Sequence, residues 1–168
     1  MTRVVVVPGV LALLPEYTSV HDPVPELRAA CAAAVSWLGH DVDVIAHGAG
    51  ERVAAHLLAT TTRRGADASH LVVANGSACR TEKAPGFLDE RAAEFDAAVD
   101  SALRQPDLYA LASVDLGLAA ELQADIEPLT RLQSVLPPGP YRSQIDYDDD
   151  PLGVQYWVAR WESDIRHT

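Results

Sequence analysis

Four consecutive valines, Val4–Val7, closed by Pro8 and Gly9, constrain this chain more than any other feature. A β-branched run favours a strand, and a strand with no polar side must be covered on both faces. It therefore belongs inside a sheet, with other elements layered above and below. The following residues supply them. Asp22-Pro23 reads as a helix start, with Leu27, Ala30, Cys31, Ala34, Val35 and Leu38 at helical spacing and Gly39 as the stop. Val42–Ala46 reads as a second strand, broken by Gly48 and Gly50. Glu51 to Ala59 reads as a helix that buries Val53, Leu57 and Leu58, and Leu71–Ala74 as a third strand leading into Asn75-Gly76-Ser77.

The second half is more helical. Leu88, Ala92, Phe95, Val99 and Leu103 mark one amphipathic helix ended by Pro106, and shorter helices are predicted at 107–111, 116–122 and 128–136. Ser143–Tyr147 and Val154–Arg160 read as strands, the second apolar on both sides and so interior. Strands alternating with helices imply an α/β fold: a central parallel or mixed sheet with helices on both faces. At 168 residues and 18.0 kDa the chain suits one domain, 1–168, with an ordinary core.

The formal charge of −11 falls almost wholly on the second half, where residues 85–168 carry −10 against −1 for residues 1–84. That balance excludes a nucleic acid or an anionic membrane as partner, since either needs a basic face. Cys31 and Cys79 lie in unrelated contexts and predict no disulfide framework. No run approaches the roughly 20 apolar residues of a membrane span, nor does the N-terminus read as a secretion signal. A cytoplasmic protein is expected.

In a sheet of this kind ligands bind beyond the carboxyl ends of the strands. Pro8-Gly9, His47-Gly48 and Asn75-Gly76-Ser77 then share one rim, and Gly9, Asn75, Gly76 and Ser77 are the expected pocket residues. No nucleotide loop, zinc motif or nucleophile elbow is present in the sequence. Of the six histidines, His21, His40, His70 and His167 read as solvated and His56 as a helix-surface or packing residue. His47 alone ends a strand on the rim. Asp148-Asp149-Asp150 reads as a solvated loop, because consecutive acids in extended chain point in different directions. Arg80 to Lys83 reads as a mixed-charge surface loop.

Asn75-Gly76-Ser77-Ala78-Cys79-Arg80-Thr81-Glu82-Lys83-Ala84-Pro85, followed by Glu94-Phe95-Asp96, resembles the second half of the LigB-type family. These are the catalytic subunits of class III extradiol ring-cleaving dioxygenases, with Memo-like relatives. The closing segment Tyr147-Asp148-Asp149-Asp150-Pro151-Leu152-Gly153-Val154-Gln155-Tyr156-Trp157-Val158-Ala159 is similar to that family's last loop and strand, and Pro8 to Glu16 to its first strand end. The resemblance implies Fe(II), O2 and a catecholic substrate, with a base that takes a catechol proton. It also implies an iron-ligand histidine where this chain has Gly9, and a base histidine where it has Ala78. His47-Gly48 matches a second ligand position. The remaining ligand falls around Gln123–Asp125, with Glu121, Asp125 and Glu127 as the nearby acids. Family chains are longer, and the missing length falls between His47 and Leu71. Those departures lead to the expectation of a catalytically degenerate LigB-like protein without a cofactor, acting as a small-molecule-binding or assembly module, and of a homodimer. The alternative is an active Fe(II) oxygenase using an irregular site of His47 and Glu121.

Overall fold

The structure is a computed structural model that describes residues 1–17 and 20–163; His167 lies outside them. Thr2–Val7 (β1) leads through two 3-10 turns, Leu11–Leu13 and Pro15–Tyr17, to Pro25–Ser36 (α1), Val42–Ile45 (β2), Ala49–Thr60 (α2) and Ala68–Val73 (β3). A run of helices follows: Ala92–Arg104 (α3), Leu108–Ala112 (α4), Leu116–Glu121 (α5), Glu127–Thr130 (α6) and Leu132–Val135 (α7). The hairpin Tyr141–Asp149 (β4) and Tyr156–Ser163 (β5) completes the described fold. The sheet has five strands in the order β2-β3-β1-β5-β4. The first three are parallel, whereas β5 runs antiparallel to β1 and β4 antiparallel to β5.

The valine run does what its composition demands. Val4 and Val6 join Val72, Trp157 and Trp161 beneath α3–α7, while Val5 and Val7 join Leu71, Tyr156 and Val158 beneath α1 and α2. The expected α/β fold, with a mixed sheet covered by helices, is thus present. β5 is interior, as its two apolar sides require. Trp157 and Trp161 are fully buried, and each indole N–H has a partner: Asp100 Oδ1 at 3.1 Å and Leu103 O at 2.9 Å.

Several boundaries differ from expectation. Asp22-Pro23 does not open α1, which begins at Pro25. The Asp22 carboxylate instead accepts from Val24 N–H and pairs with Arg28, whose forked head also donates to the Ala12 and Leu13 carbonyls. α3 starts at Ala92, not Leu88, which is 55% exposed in the preceding turn. The pattern over 128–136 divides at Arg131 into α6 and α7, where the Thr130 and Ser134 hydroxyls bond the carbonyls three residues back. β4 is longer than its apolar residues suggest, because β5 pairs with it from Tyr141 to Asp149. A register shift leaves Asp146 bulged between Ile145 and Tyr147, and its carboxylate forks Arg160 at 2.6 and 3.0 Å. Asp148–Asp150 is therefore no free loop: Asp148 accepts from Arg104 and Gln155, and Asp150 from Arg80. Arg80 is likewise tied down. His70 is buried in β3 and not solvated, its Nδ1 4.0 Å from Asp43 Oδ2 with no hydrogen-bond partner.

Candidate functional site

α1 and α2 cover one face, and the chain crosses to the other after β3. The topological switch point therefore lies between the carboxyl ends of β1 and β3. Gly9 and Asn75 meet there. The Gly9 N–H donates to Asn75 Oδ1 at 2.8 Å. A side chain at position 9 would bring its Cβ to 3.0 Å from a Val73 methyl and 3.4 Å from the Gly50 Cα, so the position is crowded by its neighbours.

Asn75 also recruits a residue from far along the chain. Its backbone exchanges two hydrogen bonds with Asp125, N–H to O at 2.8 Å and the reverse at 3.1 Å. That bridge carries the Asp125 carboxylate to His47, whose Nε2 lies 2.7 Å from Asp125 Oδ1 and 3.9 Å from Glu127 Oε2. His47 is half exposed, held where β2 ends and just before Gly48, whose φ of +56° turns the chain into α2. Arg131 forks Glu127 at 2.7 and 2.8 Å, and this holds the Glu127 carboxyl below its ordinary range. Asp125 moves the other way. Burial raises its carboxyl, with the nearby imidazole opposing.

The other expected pocket residues lie behind this rim. Gly76 N–H donates to Gln155 O, and Gln155 N–H donates to Ser77 O. Ser77 is fully buried, and its N–H and hydroxyl both donate to Asp96, at 2.8 and 2.6 Å. Gly76 and Ser77 thus pin the turn without lining a pocket. Ala78, in the expected base position, is also buried, its N–H bonded to Leu122 O and its carbonyl to Gly86 N–H. Glu121 is not beside His47 but pairs with Arg91 at 2.8 Å on the surface. Asp125 stands in its place.

The donor set decides what this rim can hold. A ferrous facial triad takes two imidazoles and a carboxylate on one ion. Here a single imidazole is hydrogen-bonded to the nearer acid, and Arg131 occupies the farther one. Among the described residues no group of three or more His, Cys, Asp or Glu side chains is placed to hold a metal ion. His47 and Asp125 are accordingly a hydrogen-bonded pair with the Arg131-bound Glu127 beside it, and this set does not fit the implied iron. No model of a known protein family matches the sequence, and no curated protein matches it either.

Sequence reasoning found His47, Gly9 and Asn75 through their strand ends. It missed Arg131, for which the signal was the i,i+4 pair Glu127/Arg131.

Proposed function

We propose that this chain is a LigB-like protein that keeps the fold without the ring-cleaving chemistry and acts as a binding or assembly module. The observation that carries the reading is the His47–Asp125 contact. The His47 imidazole is held by the Asp125 carboxyl at 2.7 Å instead of standing open. The crowded position at Gly9 and the buried Ala78 support it, since neither offers a second nitrogen to an ion or a base to a catechol. What remains on the rim is suited to a small polar molecule: an imidazole, two carboxylates and the Asn75 amide, brought together at the strand ends. Two free, buried cysteines support a cytoplasmic setting.

The test is metal analysis of protein purified anaerobically, with oxygen uptake on protocatechuate and catechol. The expected result is well under one iron per chain and no ring cleavage. His47→Ala should shift stability by less than about 1 kcal/mol, because the pair is half exposed.

The alternative Fe(II) oxygenase draws on one observation, two carboxylates within 4 Å of His47 Nε2. Stoichiometric iron that His47→Ala abolishes, together with ring cleavage, would establish it in place of the binding module.

A further inference from the structure

A groove of about 540 Å3 runs between α3 and the α4–α5 segment, lined by none of the rim residues. One wall is a continuous face of α3, where Phe95, Ala98, Val99 and Ala102 recur at helical spacing. The other wall is Ala110, Val114 and Leu118. From Arg91 to Ala102 the α3 wall extends about 16 Å, the rise of three helical turns. The small residues Ala98, Ala102 and Ala110 let another backbone approach closely. Tyr109 and Leu116, 73% and 48% exposed, adjoin the second wall in sequence and add apolar surface. The charge around this trough is net negative. Its charged lining is Glu94, Asp115 and Arg91, and Arg91 is paired with Asp89 and Glu121.

We propose that this groove docks an amphipathic helix of about three turns from a partner protein, with apolar residues at i, i+3, i+4 and i+7 and Lys or Arg along its flanks. Length, apolar lining and charge each select that occupant. A second copy of this chain is disfavoured. A two-fold contact would set one acidic wall against an identical one. A nucleic acid is repelled by the same carboxylates.

The probe is an 18-residue peptide with leucines at the stated spacing and lysines on its flanks, labelled for fluorescence anisotropy. Two controls accompany it: the same composition scrambled, and glutamate in place of lysine. The patterned basic peptide should bind at least about tenfold more tightly than either. Ala98→Arg places a cation on the exposed α3 face within the groove and should weaken binding about tenfold, with the circular dichroism spectrum unchanged. Glu94→Lys should weaken it less and flatten its salt dependence. Three results would overturn the proposal: equal binding of the scrambled peptide, an Ala98→Arg affinity equal to wild type, or a dimer in sedimentation that Ala98→Arg dissolves. The last would make the occupant a second copy. None of these readouts involves His47 or iron, so failure here is distinct from failure of the rim reading.

Discussion

Asp96 is a carboxylate sealed beneath the Asn75–Ser77 turn, and alanine in its place strips that turn of its anchor. The Ser77 N–H and hydroxyl lose acceptors at 2.8 and 2.6 Å, and Arg80 loses a third contact at 3.4 Å. A hydrogen bond to a charged group is worth roughly 1.5–3 kcal/mol, and Ser77 is fully buried, so water cannot replace the missing acceptors cheaply. Two such bonds come to about 4 kcal/mol. Against this, burial raises the Asp96 carboxyl, so removing it relieves a desolvation cost that offsets part of the loss. The expected net loss is about 3 kcal/mol, a large share of the roughly 5–15 kcal/mol available to a domain. Asp96→Asn keeps one acceptor and should lose about half as much. Urea unfolding at neutral pH, with a common m-value, reads these differences. A double-mutant cycle with Ser77→Ala should show a coupling above about 1 kcal/mol. If Asp96→Ala costs under about 1 kcal/mol, or the cycle is additive, the anchor argument is wrong.

Three further outcomes are expected. Gly76→Ala would drive its Cβ to 2.6 Å from the Gln155 Cβ and 2.8 Å from Asp96 Oδ1, so it should cost about 2–3 kcal/mol in urea unfolding, and a neutral result would refute the packing reading. Trp161→Ala empties a fully buried site and leaves the Leu103 carbonyl with the Ser143 hydroxyl alone, for an expected loss of about 3–5 kcal/mol and a lowered Tm. Burial lowers the His70 pKa below 6.5, with Asp43 opposing; the unfolded chain then holds the proton more tightly, and stability falls as pH drops through 6.5 toward the lowered value. Urea midpoints at pH 7.5 and 5.5 should therefore differ more in wild type than in His70→Leu, and equal differences would remove His70 from the account.

Sequence legibility followed burial. β1 and β5 declare themselves because an element covered on both faces writes that fact into adjacent residues, as Val4–Val7 and Tyr156–Ala159 do. α1 and α3 were visible as periodic stripes, while their first residues depended on where Asp22 and Leu88 spent their side chains. The length of β4 was hidden because an edge strand needs only a partner backbone, and Asp148 and Asp149 pair with β5 despite their charge. At the rim, strand ends located His47, Gly9 and Asn75. Ser77 was misplaced because its acceptor lies on another element, 19 residues later. Asp125 reaches His47 through a backbone bridge to Asn75, and a bridge of that kind leaves no composition to read.

The strand order has a consequence for biosynthesis. β1, at the centre of the sheet, pairs with β3 on one side and with β5 on the other, Val4 lying opposite Trp161. At about 5–20 residues per second, β5 emerges from the ribosome roughly 10–30 s after β1. Through that interval the parallel half can assemble, yet one backbone edge of the valine strand has no partner and the face that Trp157 and Trp161 will cover lies open. The nascent chain thus displays an unpaired edge of its valine strand until β5 has emerged to cover it.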